Sequence, residues 1–126
     1  MAQRERAHNG LMVVEQDAGV AVVLSAAGTI DMVTAPQFQV HVDSVLSRQP
    51  SALIVDLSRV EFMGSAGIGV LMNVHNNAGD MAYAVAADGP ATSRPLHLLG
   101  IDELIQIFPS VADAIRELGL AAGETG

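Results

Sequence analysis

The chain has 126 residues, half of them hydrophobic but only 3% aromatic, and its formal net charge of −8 comes from 14 acidic residues against six basic ones, all arginine. So acidic a surface is repelled by phosphate backbones, which argues against nucleic-acid binding. The absence of cysteine excludes disulfides, thiolate metal sites and cysteine catalysis.

The length predicts a single domain over residues 11–118, with a core of Val, Leu, Ile, Ala and Met rather than of large rings. Residues 1–10 read as a loosely ordered polar tail and residues 119–126 as a frayed one. The longest apolar runs, of about ten residues, are too short to span a bilayer. No hydrophobic segment follows the charges of MAQRERAHNG, so a cytoplasmic protein without membrane insertion is expected.

In chain order, Leu11 to Gln16 and Val20 to Ala26 are apolar runs separated by the turn-forming triplet Asp17-Ala18-Gly19, which predicts a hairpin. Gly28 to Asp31 reads as a short extended piece. A helix then starts at Thr34, which has capping-box spacing to Gln37, carries Pro36 in its first turn, and presents Phe38, Val42, Val45 and Leu46 as its apolar stripe.

Ala52 to Leu57, rich in branched residues, is the signature of a strand buried on both faces, and Val60 to Met63 forms a second short segment. Gly64 turns the chain and Ser65 stands where a helix N-cap is expected. At about 100° per residue the following helix puts Val70, Val74, Ala78, Leu71, His75, Ile68 and Met72 on one arc. Ser65, Gly69, Asn73, Asn76 and Asn77 fall on the other.

Met81 to Ala86 is the next strand, Ser93 to Leu99 a short helix capped by Ser93 and stopped by Gly100, and Leu104 to Phe108 a last strand. Ser110 with Asp113 caps a final helix that faces Val111, Ala114, Ile115 and Leu118 inward. The order β-β-α-β-α-β-α-β-α is that of an α/β sheet with crossover helices.

No catalytic constellation is legible. The glycines at 64, 67 and 69 are not GxGxxG, there is no GK[ST] or HExxH, and Gly64-Ser65-Ala66-Gly67 is not a nucleophile elbow. The histidines at 8, 41, 75 and 97 lie on separate elements, so no metal site is expected, and His75 reads as a hydrogen-bonded core or boundary residue.

Three further residues each have two readings. Asp31 and Asp56 are either acids of a turn and a strand end or members of a surface shared with Ser65. Ser65 is either a structural cap or a hydroxyl on display, and its small, uncharged neighbours Gly64, Ala66, Gly67 and Gly69 favour the second.

Four stretches, in this order, resemble the STAS domain shared by sulphate transporters and bacterial anti-sigma factor antagonists. They are Gly28-Thr29-Ile30-Asp31 with Thr34-Ala35-Pro36, Val55-Asp56-Leu57-Ser58 with Val60, Phe62 to Leu71, and Leu98-Leu99-Gly100-Ile101. The resemblance implies a small mixed sheet of four to five strands flanked by four to five helices, and binding without catalysis or a cofactor. In antagonists of the family, the serine that matches Ser65 is phosphorylated by an anti-sigma factor that is also a serine kinase. The unphosphorylated form binds that kinase and frees a sigma factor, and a phosphatase restores it.

Carried onto this chain, the resemblance implies Ser65 as phosphorylation site and Asp31, Gly64, Ser65, Ala66, Gly69, Asn73 and Asn76 as partner-binding residues. The chain departs from the family at Gly64, where aspartate is usual. A scaffold or transporter-associated STAS protein that is not a kinase substrate is the alternative this departure favours, and the oligomeric state stays open.

Overall fold

The computed structural model describes residues 4–8 and 10–120. Its six-stranded mixed sheet has the order β1 (Arg4–His8), β2 (Leu11–Ala18), β3 (Ala21–Ile30), β4 (Ala52–Met63), β5 (Ala82–Ala86), β6 (Gln106–Phe108). The β1/β2 and β2/β3 pairs are antiparallel and the remaining three pairs are parallel. Helices α1 (Ala35–Ser47) and α2 (Ser65–Asn77) connect the parallel strands β3, β4 and β5, and α3 (Ser93–Leu98) with a 3-10 turn (Ile101–Glu103) leads to β6. Helix α4 (Val111–Glu117) ends the described fold.

The α/β class and the flanking helices are those expected, but the sheet is one strand wider. That strand, Arg4–His8, lies in the segment read as a loose tail and is held by backbone pairing from Arg4↔Glu15 to His8↔Leu11. Residues 121–126 of the tail expected over 119–126 lie outside the described residues, whereas Leu120 N–H still donates to Ile115 O at 2.9 Å.

Alternation along β4 divides the core. Leu53, Val55 and Leu57 join a large cluster with Phe38, Val42 and Val45 of α1, Val70, Leu71 and Val74 of α2, and Leu96 of α3. Ile54 points the other way, to Val23, Ala84, Ala86 and Ala114, and α4 covers that smaller cluster with Val111 and Ile115, joined by Leu118 at its C-cap. Three helices therefore lie on one face of the sheet and one on the other, as side chains of period two require.

Several boundaries shift. The segments expected at 52–57 and 60–63 form one strand of 12 residues, and β3 absorbs Gly28 to Ile30. The last strand begins at Gln106 instead of Leu104, because the 3-10 turn already uses Ile101 to Glu103. No capping box forms at Thr34, whose hydroxyl serves the preceding loop, and Thr92 rather than Ser93 occupies the N-cap of α3. Ser110 does cap α4, accepting from Asp113 N–H at 3.1 Å.

Candidate functional site

Strands β3 and β4 run parallel and end side by side, with Ile30 opposite Met63. Gly64 N–H donates to Ile30 O at 2.9 Å, so the loop after β3, with Asp31, is tied to the loop that opens α2. Two stretches 34 positions apart in sequence thus form one surface, at the end of the sheet where the strands' carboxyl termini deliver the starts of α1 and α2.

The first loop is closed by its own side chains. Asp31 Oδ1 accepts from Val33 N–H at 2.9 Å and Thr34 N–H at 3.0 Å, while Thr34 Oγ1 accepts from Asp31 N–H at 2.9 Å and donates to Thr29 O at 2.8 Å. The Thr34 N–H first, with Val33 N–H and the Thr34 hydroxyl behind it, holds the Asp31 carboxyl below the usual carboxylate range, and partial desolvation opposes the shift. Asp31 is thus both the turn acid of one reading and a near neighbour of the Ser65 loop.

At α2 the expected cap is displaced by one residue. Gly64 occupies the N-cap with extended backbone (φ −88°, ψ −176°), and Ser65 is the first helical residue. The Ser65 side chain is exposed and makes no hydrogen bond among the described residues. A cap engages its oxygen with an N–H of the first turn; the Ser65 hydroxyl is left to solvent.

The small neighbours have distinct reasons. A Cβ at Gly67 would stand 2.8 Å from both Ile30 Cγ2 and Met63 Cγ, so this glycine lets the first turn of α2 sit against the strand ends. A Cβ at Gly69 would meet nothing within 4 Å. At Gly64 the nearest atom would be the Phe62 ring at 3.5 Å, an ordinary contact, so a Cβ there meets no clash.

Ser65, Gly69, Asn73 and Asn76 lie exposed on α2, as the helical spacing predicts; Asn73 accepts from Asn77 Nδ2 through its carbonyl (2.7 Å) and its side chain (3.0 Å). Ala66 is half-buried against the main core and Gly64 half-buried beside Phe62. Sequence reasoning missed the apolar rim: Met32 and Val33 are 84% and 66% exposed in the Asp31 loop and Phe62 is 55% exposed before Gly64. Apolar residues in a loop look like core until the fold shows otherwise.

Asp56 does not share this surface. It lies on the opposite face of the sheet, accepting from Ser25 Oγ at 3.1 Å and Ser58 N–H at 3.0 Å, because it alternates with the inward-facing Val55 and Leu57. His97 pairs with Asp102 at 2.7 Å, His75 is half-buried, and no cluster of metal-binding side chains occurs among the described residues. No described helix is long and apolar enough to cross a membrane.

A small sheet with a serine displayed at the head of α2 defines a class, and comparison with known proteins assigns it. The family profile described as STAS domain matches residues 12–114. The anti-sigma-F factor antagonist RsfB of Mycobacterium tuberculosis is 36% identical over 110 residues, covering 86% of this chain and 90% of RsfB. An anti-sigma F factor antagonist of Paenibacillus polymyxa is 26% identical over 110 residues, covering 83% of this chain and 92% of that protein. The crystal structure of an anti-sigma factor antagonist from Mycobacterium paratuberculosis superposes with a TM-score of 0.86 at 36% identity, covering 90% of this chain and 97% of that one. The chain belongs to the STAS-domain family, and the relatives named above are bacterial anti-sigma factor antagonists.

Proposed function

We propose that this protein is a cytoplasmic, non-enzymatic antagonist that binds an anti-sigma factor with serine kinase activity and so releases a sigma factor, and that phosphorylation of Ser65 breaks the contact. The observation that carries the reading is the Ser65 hydroxyl, exposed, unbonded and framed by Gly64, Gly69 and the Asp31 loop. A kinase needs such a hydroxyl on display. The partner-binding surface is then Asp31, Gly64, Ser65, Ala66, Gly69, Asn73 and Asn76, with Met32, Val33 and Phe62 as its apolar anchors.

The switch follows from where the charge is placed. A phosphate on Ser65 adds about −1.5 to −2 charges at the start of α2, where the helix dipole favours an anion, so the antagonist's own fold tolerates it. The penalty falls on the complex, because a dianion among small residues loses its water against a closely packed partner. A phosphatase that removes the group restores binding.

The test is an affinity series on the anti-sigma factor recovered from the native cell with the tagged protein, together with intact-mass analysis of the bait. Ser65→Asp is expected to weaken the complex by more than about tenfold, or about 1.4 kcal/mol, and part of the wild-type bait is expected to carry one phosphate. Equal affinity of both forms and an unmodified bait would instead support the second reading, an unphosphorylated STAS scaffold or transporter-associated protein. That reading is favoured by Gly64 alone, and it would gain support if Gly64→Asp were needed before Ser65 accepted phosphate.

A further inference from the structure

We infer that the cavity on the outer face of β2, β3 and β4 is a binding site for a small zwitterion of the α-amino acid type, held between Arg59 and Asp56. The cavity has a volume of about 310 Å³, and Met12, Val14 and Gln16 of β2 face Ser25 and Ala27 of β3 and Asp56, Ser58 and Arg59 of β4 across it. That volume lies at the small end of ligand pockets, which begin near about 300 Å³.

A β-bulge forms the depression. Ser25 pairs with Asp56 but Ala27 pairs with Arg59, so Leu57 and Ser58 together oppose the single residue Ala26. Leu57 remains in the main core while Ser58 and Arg59 are both exposed. The extra residue bends β4 and re-aims its side chains, as bulges do, which gathers one carboxylate, one guanidinium and a hydroxyl within four consecutive positions.

Among the described residues, neither charge lining this cavity has a partner of opposite sign. Arg59 makes no ion pair or hydrogen bond among the described residues, and Asp56 has no cation, only the Ser25 hydroxyl and the Ser58 N–H. Elsewhere the fold pairs such groups when they come within reach, as Arg48 with Glu15 and Arg116 with Asp113. Arg59 and Asp56 line one cavity without bridging it. A carboxylate accepts up to about four hydrogen bonds, so Asp56 has capacity left for an ammonium group.

Net charge selects the ligand class. A simple anion would meet Arg59 but also Asp56, inside a chain of net charge −8. A simple cation would meet Asp56 but also Arg59. A molecule with both charges answers each group with its opposite: its carboxylate meets Arg59, its ammonium meets Asp56, and a modest side chain lies on Met12, Val14 and Ala27. The site is independent of Ser65, although β3 and β4 run from it to Asp31 and Ser65.

The experiment is amide chemical-shift titration of the full chain with free α-amino acids of apolar, polar and charged side chains, up to about 10 mM, ten times a Kd of about 1 mM. Amino-acid amides and N-acetyl amino acids, each lacking one charge, serve as controls. The expected result is saturable shifts at Val14, Ser25, Ala27 and Ser58 with at least one free amino acid, weakened at least tenfold in Arg59→Ala and in Asp56→Asn and by blocking either charge. Arg59 is exposed, so its variant folds even if the Asp56 variant does not. Absence of saturable shifts, shifts elsewhere, unchanged affinity in Arg59→Ala, or equal binding of the N-acetyl compounds would overturn the proposal.

Discussion

Because Gly64 supplies the N-cap and Ser65 is the first helical residue with an unbonded hydroxyl, that hydroxyl carries none of the stability of α2. Ser65→Ala is therefore expected to change unfolding free energy by less than about 0.5 kcal/mol. Loss of a true cap costs about 1 kcal/mol, and urea denaturation separates the two values; a loss of the larger size would return Ser65 to a capping role. The glycines downstream make an opposed pair. Gly67→Ala forces a methyl to 2.8 Å from Ile30 and Met63 side-chain atoms, which overpacking data put at about 1–3 kcal/mol of destabilisation. Gly69→Ala places its methyl in open space and removes a helix-interior glycine, a gain of about 0.5–1 kcal/mol. Thermal melts of the two variants should move in opposite directions, and a fall in both would refute the packing assigned to Gly69.

Among the elements, α4 is short and has a side-chain cap, Ser110, at its start. At seven residues it is far shorter than an isolated helix needs to persist in water, so its contact with Val23, Ile54, Ala84 and Ala86 and the Ser110 cap must hold it together. Ser110→Ala is expected to cost about 1 kcal/mol, with the first loss of amide protection in hydrogen exchange confined to Val111–Glu117. Uniform loss over the sheet would show instead that α4 is not a separate weak point. This cap was legible in the sequence because Ser110 follows Pro109 and precedes an inward stripe at helical spacing. The strand Arg4–His8 was not, since RERAH has neither alternation nor an apolar run and is held through backbone pairing that any sequence can make. Likewise Ser58 and Arg59 break the apolar pattern of β4 and part it into the two segments expected from sequence, whereas the chain keeps its pairing through a bulge.

At the scale of the whole molecule, the exposed side of α2 was readable from helical spacing, but the meeting of Asp31 with the Ser65 loop depends on β3 and β4 being parallel neighbours. Composition and periodicity do not reveal that adjacency; the family resemblance brought the two stretches onto one surface. The face of Asp56 was in principle readable, because Val55 and Leu57 flank it with inward-facing side chains. Cohesion between the two sides of this architecture can be followed at one residue. Tyr83 of β5 is the sole tyrosine in a chain without tryptophan, is buried, and donates its hydroxyl to Leu71 O of α2 at 3.0 Å. Burial disfavours the phenolate and pushes the phenol up from its ordinary value of 10.0. The neutral phenol therefore contributes stability that is fully present below pH 10 and declines as pH rises above it, because only the unfolded chain loses the proton readily. In an alkaline titration, tyrosinate absorbance is expected to appear above pH 10 together with the loss of helical circular dichroism, as one cooperative transition. Tyr83→Phe should lower stability at neutral pH by about 0.5–1.5 kcal/mol through the lost hydrogen bond, and flatten the alkaline limb. Tyrosinate forming with a midpoint of 10 while the helices remain intact would mean that α2 and β5 do not enclose this side chain, and the packing of α2 over the centre of the sheet would have to be redrawn.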